Sequence, residues 1–216
     1  MGGEVRAPLK KNEQGFGTPT IVGRIHFDEK YVNVQGEWEY DLNGIDSKTK
    51  FILSELLVEE RNLAACKAFL KVIKTWCYAQ IMACYERERL KPVKERRLIA
   101  LVCDGFGNYK TAAKRLFRRI AKITTGVPIA CKKYGLKHNN NHAERLNREI
   151  ERRIVVLGAF QSHEGAQATL ALRKLVHNYV MPHTELGGKT PAEAAKMHLN
   201  LGENKLLGLI RLAKKD

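Results

Sequence analysis

The 216-residue chain has no run as long as a transmembrane helix, and its N-terminus lacks the apolar core of a signal peptide. Both absences point away from a membrane protein. The five cysteines (Cys66, Cys77, Cys84, Cys103 and Cys131) contain no C-x-x-C pair, so a zinc-finger or zinc-ribbon reading has no support. Cys66, Cys77 and Cys84 fall on the apolar stripe of a helix and Cys103 closes an apolar strand, which predicts buried free thiols. The expected location is cytoplasmic, associated with the nucleoid. No internal repeat or low-complexity tract is present, and no aspartate occurs between Asp104 and the terminal Asp216.

What is abundant is positive charge. Against 23 Asp and Glu stand 38 Lys and Arg, a net +15, and a domain that basic usually meets a polyanion, nucleic acid first. The excess is local. From Lys110 to Arg153 there are thirteen Lys and Arg and three acids, a surplus of ten out of the fifteen. This is the pattern of a phosphate track.

Residues 1–20 are polar and rich in Gly and Pro, and read as a flexible leader. Three strands are expected next, Ile25–Val34, Glu37–Ile45 and Lys50–Leu57, joined by short turns at Gln35-Gly36 and Asp46–Thr49 into an antiparallel meander. Leu63, Cys66, Leu70, Ile73, Cys77, Ile81 and Cys84 recur at spacings of three and four, which predicts a helix over about 60–86. A strand at Leu98–Cys103, a basic helix at Asn108–Ala121 and a short strand at Val127–Ala130 follow. A long helix from near Asn141, a helix at about 164–179 and a short one capped by Thr190-Pro191-Ala192-Glu193 complete the order. Strands and helices alternating after a meander imply an α/β fold, a mixed five-stranded sheet flanked by helices. The core is expected over 21–200, with 201–216 as a basic C-terminal tail.

Three carboxylates stand where a carboxylate is locally awkward. Asp28 interrupts a strand, Asp104 ends the apolar run Leu98–Cys103, and Glu144 opens a basic helix after three asparagines. Each has a bland alternative. Asp104-Gly105 is a turn dipeptide, Asn141-x-x-Glu144 fits a capping box, and Asp28 could lie on an exposed edge. If the first and fourth strands are neighbours, however, Asp28 and Asp104 lie side by side, and Glu144 could reach them from the first turn of its helix. Three acids on three rigid elements form a hard-oxygen site suited to Mg²⁺ or Mn²⁺.

These stretches resemble a family. His26-Phe27-Asp28-Glu29-Lys30-Tyr31-Val32, Gly44–Lys50, Val102-Cys103-Asp104-Gly105 through Tyr109, Asn140-Asn141-His142-Ala143-Glu144-Arg145, Asn178–His183 and Gly187–Glu193 are similar to insertion-sequence transposases of prokaryotes, particularly archaea. That class has an RNase H-like core and a D, D, E triad. The resemblance implies that Asp28, Asp104 and Glu144 bind two divalent ions, Mg²⁺ or Mn²⁺, and that the chain cuts DNA at transposon ends and joins it to target DNA as a homo-oligomer. Glu29 and Asp46 also match the pattern; Asp46, in a hairpin turn, is expected to be structural. Phosphate contacts are expected from Lys114, Arg115, Arg118, Arg119, Lys132, Lys133, Lys137, Arg145, Arg148 and Arg152, with Arg153 beside them, while His138 and His142 flank the site. Trp38 and Trp76 are expected in the core.

The chain departs from the family pattern before Asp28, where the 27 preceding residues contain no DNA-reading segment of the helix-turn-helix or zinc-binding kind. Two other readings therefore accompany the transposase: a truncated, non-catalytic DNA-binding remnant, and an RNase H-like nuclease.

Overall fold

The computed structural model describes residues 17–126, 143, 145–148, 151, 158–197 and 199–214. The meander is present as expected: β1 (Ile25–Val34), β2 (Glu37–Asp46) and β3 (Ile52–Val58), paired antiparallel. The β1–β2 turn is two residues long, with Gln35 at φ 53° and Gly36 at φ 91°. Two positive φ values in a two-residue loop match the right-handed twist of the strands it joins. The turn after β2 is organised by Asp46. One of its carboxylate oxygens accepts the N–H groups of Lys48 (2.7 Å) and Thr49 (3.0 Å), the other those of Val22 (2.9 Å) and Gly23 (3.1 Å). Asp46 is therefore a structural acid.

Helix α1 (Leu63–Glu88) begins at Asn62, whose side chain accepts the Ala65 N–H. Its stripe of Cys66, Leu70, Ile73, Cys77 and Ile81 is buried. Gly44 of β2 lets it come close: a Cβ there would stand 3.1 Å from Phe69 and 3.0 Å from Ile73. The chain returns through β4 (Ala100–Cys103), α2 (Gly107–Phe117) and β5 (Lys122–Thr125). Helix α2 stops four residues earlier than its apolar pattern predicts, because Arg118 turns into the left-handed region at φ 46°. The last strand is also not where it was expected. Val127–Ala130 lies outside the described residues, and the strand parallel to β4 is Lys122–Thr125, aligned Ala100↔Lys122 through Cys103↔Thr125.

The sheet order is β3-β2-β1-β4-β5, with β1 and β4 parallel. It is an RNase H-like mixed sheet, and β1 is interior rather than an edge. One face packs on α1 and α2 through Ile25, Phe27, Leu42, Phe69, Tyr109 and Phe117. The other carries Val32, Val34, Ile45, Ile52 and Leu57 against Leu146, Phe160, Ala166 and Leu170. Leu146 belongs to the expected long helix, of which residues 143, 145–148 and 151 are described and helical. Helix α3 (His163–Tyr179) covers the same face, and its Asn178 both donates to and accepts from the backbone of Ile52 (3.0 and 2.9 Å). Helix α4 (Pro191–Ala194) has the expected capping box. Within 201–216 the structure holds a further helix, α5 (Lys205–Ala213), and Leu209 joins the core.

Candidate active site

The register places the first two carboxylates. Ile25 pairs with Leu101 and His26 with Val102 in parallel, so two residues further on Asp28 and Asp104 are level at the end of β4. Past that point no described strand lies against β1 on this side until Phe160 bridges Val34, leaving an open notch in the sheet. Within it, single carboxylate oxygens of Asp28, Glu29 and Asp104 lie within 4.8 Å of one another, all three residues half-buried.

Glu29 is the member that strand periodicity conceals. Successive side chains alternate between faces, which sends Glu29 away from Asp28. Even so, one oxygen of each comes within 4.8 Å of the other at the notch. One Glu29 oxygen is ion-paired with Arg61, just before α1. The other is buried and has no hydrogen-bond partner among the described residues. Arg61 is itself fixed, its guanidinium 4.0 Å above the centroid of Phe106 and 5.7 Å from that of Tyr40. Asp104 is oriented by the Phe106 N–H, which donates to it at 2.9 Å.

A second residue that the sequence reading missed is Asn147. Its Nδ2 donates to Asp28 Oδ2 (3.2 Å) and to the Glu29 carbonyl (3.4 Å), while its Oδ1 accepts from Asn43 Nδ2 (2.9 Å). Lys30 Nζ donates to its backbone oxygen at 3.1 Å. Asn147 therefore ties its helix to Asp28, and it lies one turn beyond Glu144. That i, i+3 spacing was the available signal. Glu144 lies outside the described residues, as do Asn141, His138, His142, Lys132, Lys133, Lys137, Arg152, Arg153 and Cys131.

The thiols and the hydroxyl beneath the site are held neutral. Burial is the main cause in each case, pushing Cys66 up to about 11 and Cys103 up to about 12, with the Asp104 charge adding to both. Burial likewise raises Tyr109 well above its ordinary value; its hydroxyl has no partner among the described residues.

Of the expected phosphate contacts, Lys114, Arg115, Arg118 and Arg119 are exposed at the far end of α2. Lys114 is about 10 Å from the start of that helix at 1.5 Å per residue, so the structure sets these residues apart from the carboxylates. Arg148 is exposed, and Arg145 pairs with Glu185 at 3.0 Å. Trp76 packs partly buried against the core as expected. Trp38 does not. It is 61% exposed, because β2 starts beyond the sheet area that α1 covers.

The sequence profile described as a DDE domain matches residues 22–183, well over half of the chain. The chain belongs to the DDE domain family. This is the transposase class that the motifs resemble. No curated protein matches the sequence. Among solved structures the DDE chain is similar to a chain of the simian T-cell lymphotropic virus intasome in complex with the PP2A regulatory subunit B56 gamma. That match has 11% identity and a TM-score of 0.52, and covers 93% of this chain and 64% of that one. The DDE chain thus spans less than two thirds of that relative's length. It is also similar to the HTLV-2 integrase catalytic core domain in complex with magnesium. The dimeric form shows 10% identity, a TM-score of 0.47 and coverage of 83% and 99%; the trimeric form shows 8%, 0.45, and 84% and 100%. The chain shares its fold with that intasome chain. No helix among the described residues is long and apolar enough to cross a membrane.

Proposed function

We propose that this chain is the catalytic core, over about residues 21–200, of a transposase that cuts DNA at transposon ends and joins the strands to target DNA by metal-dependent phosphodiester exchange. The observation that carries the reading is the meeting of Asp28, Glu29 and Asp104 oxygens within 4.8 Å in the notch between β1 and β4. The donors suit a hard divalent cation. All are carboxylate oxygens, and one from Glu29 is buried without a partner. Asp28, Asp104 and Glu144 would hold Mg²⁺ or Mn²⁺, two ions in all, with Glu29 beside them. Such ions, when bound, activate a water or a DNA 3′-hydroxyl and stabilise a leaving oxygen.

The remaining work falls to the chain's own groups. Asn147 holds one Asp28 oxygen and the Phe106 N–H holds one Asp104 oxygen, which sets the orientation of both carboxylates. Cys66 and Cys103, kept neutral by burial, are poor nucleophiles, in keeping with a reaction that forms no covalent protein intermediate. Lys114, Arg115, Arg118, Arg119 and Arg148 contact phosphates away from the reacting centre, and the protein acts as a homo-oligomer on DNA in the cytoplasm.

The test is Mg²⁺- or Mn²⁺-dependent nicking and joining of labelled duplex DNA. Asp104→Asn is expected to abolish both at least a thousandfold while leaving DNA binding intact. Metal-dependent activity that survives the substitution would sink the assignment, and hydrolysed ends without joined product would favour the RNase H-like nuclease.

A further inference from the structure

Trp38 opens a question beyond the carboxylates, because a tryptophan 61% exposed on a strand is surface with a use. It does not stand alone. Tyr31 of β1 is 53% exposed, and its ring lies 6.5 Å from that of Trp38, nearly perpendicular, and 5.1 Å from that of Tyr40. The register explains the cluster. Tyr31 pairs directly with Tyr40, and Asn33 with Trp38, so the three rings share one face of the hairpin. Glu29 is on that same face two residues before Tyr31, about 7 Å along the strand. Arg61 closes the gap, since it pairs with Glu29 and reaches over the Tyr40 ring. The aromatic patch is thus continuous with the carboxylate notch.

We infer that Tyr31 and Trp38 form a stacking platform for an unpaired DNA base next to the scissile phosphate. This rests on the transposase reading above and extends it to the form of the substrate: DNA whose strands are already separated at the point of cleavage. Two arguments select this occupant. The chain is strongly basic, yet Glu37 beside Trp38 and Glu59 just after β3 are exposed at this end of the sheet, which disfavours a phosphate track here. Ring faces without phosphate partners receive bases, and every base has a π-face to offer. Two side chains also expose far less than the roughly 800 Å² per partner that a stable dimer buries, which disfavours a second copy of this chain.

The experiment uses the full chain carrying Asp104→Asn, so that binding is read without turnover. Two duplexes of one sequence are compared, one blunt and one with three unpaired bases at an end. Because Trp38 and Trp76 are the two tryptophans, adding Trp76→Phe makes intrinsic fluorescence report on Trp38. The unpaired-end DNA is expected to quench that fluorescence and to bind more tightly than the blunt duplex. Trp38→Ala is expected to weaken its binding about five- to a hundredfold and to erase the preference, while blunt-duplex binding stays unchanged. Trp38→Phe, read in the Trp76 background, retains most of the preference. An undiminished preference in Trp38→Ala overturns the platform alone, as does a dimer that Trp38→Ala dissolves. Failure of the parent protein to bind either DNA overturns the transposase reading and the platform together.

Discussion

Asp41 shows what a single buried carboxyl does to this fold. It is fully buried on β2 beside the Asn43 side chain, and its carboxylate is poorly satisfied by hydrogen bonds among the described residues. Burial is the main cause that pushes it up to about 8; the nearby Glu55 charge adds to this, while Arg173, a hydrogen bond from Asn43 and Lys30 oppose it. A proton on Asp41 places a donor among poorly satisfied acceptors. The folded chain therefore keeps this proton up to about 8, whereas the unfolded chain releases it near 3.8. Between those values the folded state binds more protons, so stability falls as pH rises from about 4 to about 8. Urea denaturation at pH 5.5 and 8.5 is expected to show a lower midpoint at the higher pH. Asp41→Asn, neutral throughout, is expected to reduce that drop. An equal drop in both proteins would place the proton elsewhere. The residues hardest to read from sequence were of this kind. Glu29 follows Asp28 directly, and alternation assigns them to opposite faces. Trp38 carries no local mark of exposure. What brings the first into the site and leaves the second outside the core is where neighbouring elements end.

At the scale of elements, the helix containing Asn147 is held to the sheet by four polar contacts, three to β1 through Asp28, Glu29 and Lys30 and one to β2 through Asn43. The contact to Asp28 orients a proposed ligand. Groups that orient metal ligands typically account for 10- to 100-fold in affinity. Asn147→Ala is therefore expected to weaken Mn²⁺ binding, measured calorimetrically, about tenfold or more, while Asn147→Asp restores the acceptor but not the donor and does not rescue it. Unchanged affinity in Asn147→Ala would reduce the residue to packing. The long elements were readable in the sequence because their patterns repeat: strand alternation in β1 and β2, and the 3–4 stripe of α1. Strand β5 was not, since Lys122–Thr125 has no apolar run of its own and is a strand by virtue of pairing with β4. The end of α2 depends on one backbone angle at Arg118.

At the scale of the molecule, the α2 cations and the acid cluster stand apart among the described residues. The exposed cations of α2 lie at the end of the helix remote from Asp104, and the acids gather where the sheet opens. That the first and fourth strands are neighbours could be anticipated as the condition for any joint role of the two acids, and β1 and β4 meet it with only two paired positions.

That brevity of β4 has a consequence for solubility. Past its two pairs with β4, β1 has no strand partner among the described residues until Phe160, apart from the Asn147 contact to the Glu29 carbonyl, and such an edge is the kind of surface onto which another chain's strand can add. Three acidic side chains crowd it, of which Glu29 is paired with Arg61, and an intruding backbone would have to bury their charge further. The acids thus guard the gap they occupy. Asp28→Asn and Asp104→Asn, the natural inactive controls, remove part of that guard. Light scattering at equal concentration is expected to show faster self-association for the double variant than for the parent, and equal rates would mean that the gap is protected by something other than charge.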